Sequence, residues 1–135
     1  DKPKNLVLMP LQPFKDYSEV LSSADFCIAV IEKEAGKFST PSKTLSYLCA
    51  GKPILLASPK ENLAAEIIMK SRSGIVVNPD NIQGFSDALS ELVSNNGRMI
   101  DFGKNARKYA EDNFDINKIA DNFEKIFKKI LNKNV

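Results

Sequence analysis

The sequence predicts an α/β fold, a parallel sheet of about four short strands with helices on its faces. Three observations carry this. Short apolar runs alternate with helical patterns of about ten residues. Two of the runs, 26–31 (Phe-Cys-Ile-Ala-Val-Ile) and 54–57 (Ile-Leu-Leu-Ala), are continuously apolar, as strands covered on both faces require. Turn residues punctuate the runs: Pro10, Gly51 with Pro53, Gly74, and Asn78-Pro79-Asp80-Asn81. Right-handed crossovers then put helices on both faces and ligands outside the carboxyl ends of the strands.

In order, Asn5 to Met9 (Asn-Leu-Val-Leu-Met) is expected as the first strand, closed by Pro10. A helix is expected over Tyr17 to Ala24, from Tyr17, Val20, Leu21 and Ala24 at helical spacing. Phe26 to Ile31 is the second strand, and the polar loop 32–39 follows it. Thr40 is the natural cap of the next helix and Pro41 suits its first position. Leu45, Leu48 and Cys49 form its buried stripe, and Gly51 and Pro53 stop it. Ile54 to Ala57 is the third strand. Glu61 to Arg72 is a helix with Asn62 or Ser58 near its start. Ile75 to Val77, after Gly74, is the fourth strand. Three helical patterns complete the chain: one marked by Phe85, Leu89 and Leu92, one by Met99, Phe102 and Ala106, and one by Ile116, Phe123 and Ile130.

A chain of 135 residues, 43% hydrophobic, fits one domain with one compact core. Its net charge of +2 implies no strong nucleic-acid field. Histidine is absent, which excludes imidazole metal sites and histidine-based triads or dyads within the chain. Cys27 and Cys49 have no Cys-x-x-Cys spacing and sit in apolar stretches. They are expected as buried free thiols in a reducing cytosol, and no metal is expected. No apolar run approaches the length of a membrane span.

Residues 97–135 carry nine Lys/Arg against six Asp/Glu, with Lys125, Lys128, Lys129 and Lys133 near the end. These lysines complement the helix dipole, or they form a surface for an anionic lipid head group or a neighbouring domain.

The candidate chemistry lies at the start of the helix after Thr40. Unpaired amides and the helix dipole favour an anion there, and Ser42 and Lys43 add a hydroxyl and an ammonium.

Taken together, the segments Asn5-Leu-Val-Leu-Met-Pro10, Leu21-Ser-Ser-Ala-Asp25, Pro41-Ser-Lys43 with Tyr47-Leu-Cys-Ala-Gly-Lys-Pro53, Ser73-Gly-Ile-Val-Val-Asn-Pro-Asp80 and Gly103-Lys-Asn-Ala-Arg107 occur in a telling order. In them the chain resembles the carboxyl-terminal, donor-binding domain of GT-B glycosyltransferases of the family 4 group, in a Pro-Ser-Lys variant. The resemblance implies a Rossmann-like sheet forming the second half of a GT-B fold. It also implies transfer of a hexosyl group from a nucleotide-sugar, a UDP-sugar before others, in polysaccharide or glycoconjugate synthesis. Retention of configuration is expected, and no cofactor beyond the nucleotide-sugar substrate.

Carried over position by position, Met9, Pro10 and Leu11 would touch the nucleobase. Glu34 and Ser39 would face the donor, and Ser42, Lys43 and Ser46 would meet its diphosphate or ribose. Members commonly pair two glutamates where this chain has Phe38 and Ser46, so Glu34 is the nearest substitute and the catalytic residues stay unassigned.

The family's domain begins with strands that would precede Asn5, after an amino-terminal acceptor domain. Residues 1–135 are therefore expected to be a fragment of an enzyme roughly two or three times as long, inactive alone. Its expected partners are the donor and that acceptor domain, with peripheral membrane contact or a domain-exchanged dimer as further ones. A cytoplasmic location is expected, with membrane association resting on the absent half. Two readings stand against this one: a non-catalytic flavodoxin-like binding module, and a nucleotide-sugar epimerase on the same architecture. The first lacks any Gly-x-Gly-x-x-Gly, and the second would want more acid and base groups than this segment offers.

Overall fold

A computed structural model of the chain describes residues 3–34, 39 and 42–131. A 3-10 turn over Phe14–Asp16 leads into α1 (Tyr17–Ser22), followed by β1 (Cys27–Val30) and α2 (Ser42–Cys49). Then come β2 (Ile54–Ala57), α3 (Leu63–Ser71) and β3 (Gly74–Val77). Three helices close the chain: α4 (Ile82–Ser94), α5 (Asn96–Asn113) and α6 (Ile116–Leu131). The strands form one parallel sheet in the order β1-β2-β3, with Cys27 opposite Ile54 and Ile54 opposite Gly74. This is an α/β, partly Rossmann-like arrangement, with helices on both faces.

The sheet has three described strands rather than about four. Asn5 to Met9 is irregular and exposed, with Val7 and Leu8 more than 70% accessible. Its apolar character is that of a buried strand, but a strand exists only where a neighbour completes its ladder. No described strand pairs with it. The short helix expected to Ala24 ends at Ser22, where the hydroxyls of Ser22 and Ser23 donate to the carbonyls of Ser18 and Val20.

Local chemistry explains the other boundaries. Thr40 and Pro41, expected to start α2, lie outside the described residues. Gly51 ends α2 in the left-handed region at φ +64°, and the amides of Gly51 and Lys52 return to the carbonyls of Leu48 and Tyr47. Asn62 rather than Ser58 caps α3, its side chain accepting from the Ala64 amide. The Ser58 hydroxyl instead donates to the Pro59 carbonyl. Asn81 and Asn95 cap α4 and α5 through the amides of Gly84 and Arg98.

Two cores sandwich the sheet. On one face, Ala29, Ile31, Ile54 and Leu56 pack with Leu48 of α2, Ile68 of α3 and Ala106 of α5. On the other, Leu55 packs with Ala88 and Leu92 of α4 and with Phe102 of α5. α5 thus contributes to both cores. The stripe expected on α2 is shifted by one position: Thr44 and Leu48 are buried, while Cys49 is exposed. The expectation of two buried thiols therefore holds for Cys27 alone. Among the described residues no helix is long and apolar enough to cross a membrane.

Candidate functional site

Parallel strands bring their carboxyl ends to one edge of the sheet, so the loops after β1, β2 and β3 gather there. The first strand pair extends one residue into this edge, where the Ile31 amide donates to the Ala57 carbonyl at 2.8 Å. The Ser58 amide does the same toward Val77 at 2.9 Å. Beyond these bonds the loops are held by side chains.

Asn62 makes the firmest of these ties. It is 2% exposed. Its Oδ1 accepts from the Ala64 amide at 2.8 Å, and its Nδ2 donates to the Ser39 carbonyl at 2.7 Å. One amide therefore caps α3 and anchors the segment that leads into α2. The approach to α2 is thereby tied to the start of α3, and a helix start carries the positive end of a dipole. A second tie crosses the same edge: Lys33 Nζ meets Asp80 Oδ2 at 2.8 Å, joining the loop after β1 to the loop after β3. The bond and charge of Asp80 hold the Lys33 ammonium above its ordinary range. Both side chains are well exposed, so the pair orients loops more than it stabilises the fold.

A cavity of about 210 Å³ opens between the strand ends and the start of α4. Its lining is almost wholly apolar: Val30, Ala57, Pro79, Ile82 and Phe85, with Asn78.

The residues expected to bind a donor fall into two groups. Ser42 and Lys43 are exposed in the first turn of α2, and Ser46 is half-buried one turn on. Ser39 is exposed, with its carbonyl held by Asn62. Glu34 is exposed in the loop after β1, next to the paired Lys33. These five belong to the segment that joins the carboxyl end of β1 to α2. Met9, Pro10 and Leu11 are apart from them in the irregular leading segment, where Gln12 Nε2 bonds the Pro10 carbonyl at 2.8 Å. Among the described residues no hydrogen bond joins that turn to the carboxyl edge.

The place of Asn62 near a helix start is legible in the sequence, but its second bond is not. Asparagine before an Ala-rich helical run signals a cap; nothing local signals a partner 23 residues earlier. The Lys33–Asp80 tie, 47 residues apart, was equally invisible.

Cys27 is set back in β1. Burial pushes its thiol above the ordinary range, opposed in part by the Lys52 ammonium. Tyr47 on α2 is raised as well, by burial first and then by Cys27 and Tyr17. Both groups are neutral near pH 7 and serve packing.

No family model matches the chain, and no solved structure matches it. Over 91 residues, 67% of its length, the chain is 30% identical to an uncharacterized glycosyltransferase of Methanocaldococcus jannaschii. The matched stretch is 23% of that protein, so the chain spans about a quarter of the curated relative it resembles.

Proposed function

We propose that the chain is the donor-binding part of a GT-B glycosyltransferase of the family 4 type. It holds the nucleoside diphosphate of a nucleotide-sugar at the carboxyl edge of its sheet. The observation that carries this reading is the Asn62 brace, which sets the approach to α2 against the start of α3. Fixed amides at two helix starts, with Ser42 and Lys43 in the first turn of α2, suit the diphosphate of a leaving group. The likeness to a glycosyltransferase supports the same reading from sequence.

Each residue then has a distinct task. Lys43 gives a mobile positive charge to the diphosphate. Ser42 donates a hydroxyl to a phosphoryl oxygen, and Ser46, one turn later, to a ribose hydroxyl. Ser39 lies beside them on the anchored approach. Glu34 takes the place of the carboxylate that such enzymes present to the donor sugar. Met9, Pro10 and Leu11 contact the nucleobase once the leading segment is paired into the sheet. The acceptor is held by another domain of a longer polypeptide, and the 135 residues alone turn over no donor. Transfer proceeds with retention, on a polysaccharide or glycoconjugate acceptor at the cytoplasmic side of a membrane.

Ligand-observed NMR with UDP, UDP-N-acetylglucosamine and GDP-mannose tests the reading. Binding selective for one base, weakened at least tenfold in Lys43→Ala, is the expected result, tenfold being about 1.4 kcal/mol. A folded chain that binds none of the three, both alone and within its longer parent, would overturn it.

A further inference from the structure

Lys33 has a carboxylate on either side of it in the chain, Glu32 and Glu34, and among the described residues it pairs with neither. Its Nζ reaches instead to Asp80 Oδ2 at 2.8 Å, 47 residues away. Both ends of that bond rest on held backbone. On one side, the Ile31 amide donates to the Ala57 carbonyl at 2.8 Å, so the ladder of β1 runs almost to Lys33. On the other, the turn after β3 is closed on itself. Asn78 Oδ1 accepts from the Asp80 amide at 3.0 Å, and the Asn78 carbonyl accepts from the Asn81 amide at 2.9 Å. Asn81 then caps α4. The Asp80 carboxylate is a fixed post at the sheet edge, and the long, flexible lysine gains order from it.

The segment between β1 and α2 is thereby tied at two points. Lys33 is held to the turn after β3, and Ser39 is held through Asn62 to the start of α3. Glu34 follows directly on the first tie. It is exposed and has no ion pair among the described residues, so its oxygens are open to a ligand. A carboxylate accepts strong hydrogen bonds from hydroxyl groups.

We infer that Asp80 is a positioning residue for the donor sugar. By holding Lys33 it sets the Glu34 carboxylate toward the sugar hydroxyls and keeps the neighbouring ammonium away from it. This rests on the donor-binding reading given above. An exposed ion pair adds little to the stability of the fold. Its return is in binding, because a loop already ordered loses less freedom when the ligand arrives. The effect is confined to the sugar. Ser42 and Lys43, which meet the diphosphate, lie in α2 beyond the second tie, and Asp80 does not set their place. A free nucleotide and its sugar conjugate therefore report different parts of the site.

Ligand-observed NMR on the 135-residue chain compares UDP with UDP-N-acetylglucosamine, and GDP with GDP-mannose. The proteins are the parent sequence, Lys33→Ala, Asp80→Ala and the double variant. Each single variant should weaken the nucleotide-sugar about three- to fivefold, the range of an exposed ion pair, and leave the free nucleotide unchanged. The double variant should lose no more than either single one, since the two side chains act through one bond. Relaxation of the Glu34 backbone amide should show it less ordered in all three variants, with thermal melting unchanged. Equal losses for nucleotide and nucleotide-sugar, or losses that add in the double variant, would overturn the inference. So would a Glu34 amide of the same order in every variant. Tighter binding of the free nucleotide in Asp80→Ala would also overturn it, and would make Lys33 a phosphate ligand that Asp80 restrains. If the parent sequence binds no nucleotide, alone and within its longer polypeptide, the donor-binding reading falls and the inference with it. If it binds and Asp80→Ala changes nothing, the inference falls and that reading stands.

Discussion

The side-chain amide of Asn62 holds the Ser39 carbonyl at 2.7 Å while its oxygen caps α3. Both bonds are sheltered, since Asn62 is 2% exposed. This one residue links the order of the α2 approach to the stability of α3.

Asn62→Ala removes a cap and leaves the Ser39 carbonyl without this donor. The expected cost is about 1–2 kcal/mol in urea unfolding. Asn62→Asp keeps the cap oxygen but has no donor for Ser39. It should recover most of the α3 stability while nucleotide binding stays weakened. Equal stability and equal binding in the two variants would show that the Ser39 bond does nothing.

Gly74 begins β3 with its α-carbon against the Ile54 backbone, and a Cβ there would run into the Ile54 carbonyl. Backbone cannot give way as a side-chain tip can, so Gly74→Ala should cost on the order of 3–5 kcal/mol. Gly97→Ala is the control. Its Cβ would meet only Asn95 Oδ1 at 3.7 Å, and the helix should be unchanged or up to about 1 kcal/mol more stable. Thermal melts of the pair measure the difference.

Arg72 occupies the left-handed region at φ 53° just after α3, where its amide and that of Ser73 return to the carbonyls of Met69 and Ile68. This is the position at which glycine is usual. Arg72→Gly should stabilise the chain by about 0.5–1 kcal/mol, the relief of strain exceeding the added chain entropy. The Asn105 side chain bonds the Arg72 carbonyl, which the substitution keeps. A lower urea midpoint would contradict this account.

Cys49 is exposed and Cys27 buried, with the Cys27 thiol raised by its burial. Iodoacetamide on the folded chain should modify Cys49 alone, and both residues after denaturation. The pH dependence follows from the same shift. The unfolded Cys27 thiol ionises first, so the unfolded state binds fewer protons between the ordinary and the raised pKa. Stability is full below the ordinary thiol range and falls as pH rises through it. Urea midpoints compared for the parent and Cys27→Ala on both sides of that range measure this. An identical pH slope in the two would refute it.

The α/β class, the parallel sheet and most element boundaries are legible in the sequence because they rest on local chemistry. Ile54 to Ala57 is a strand over the expected residues, since four apolar side chains between Pro53 and Ser58 can only be buried on two faces. Gly51 stops α2 because it alone enters the left-handed turn without strain. The anion-suited start of α2 follows from residues adjacent in the chain.

Tertiary structure decided what depends on a distant neighbour. Asn5 to Met9 and Ile54 to Ala57 are alike as apolar runs, yet the second has a strand on each side and the first has none among the described residues. Cys27 and Cys49 differ in exposure because one points into a core and the other lies on the last turn of α2 beyond the buried stripe. The Asn62–Ser39 and Lys33–Asp80 ties form only once loops 23 and 47 residues apart meet at the carboxyl edge. Side-chain period and turn chemistry are properties of the chain itself, whereas pairing, burial and convergence exist only between parts of it.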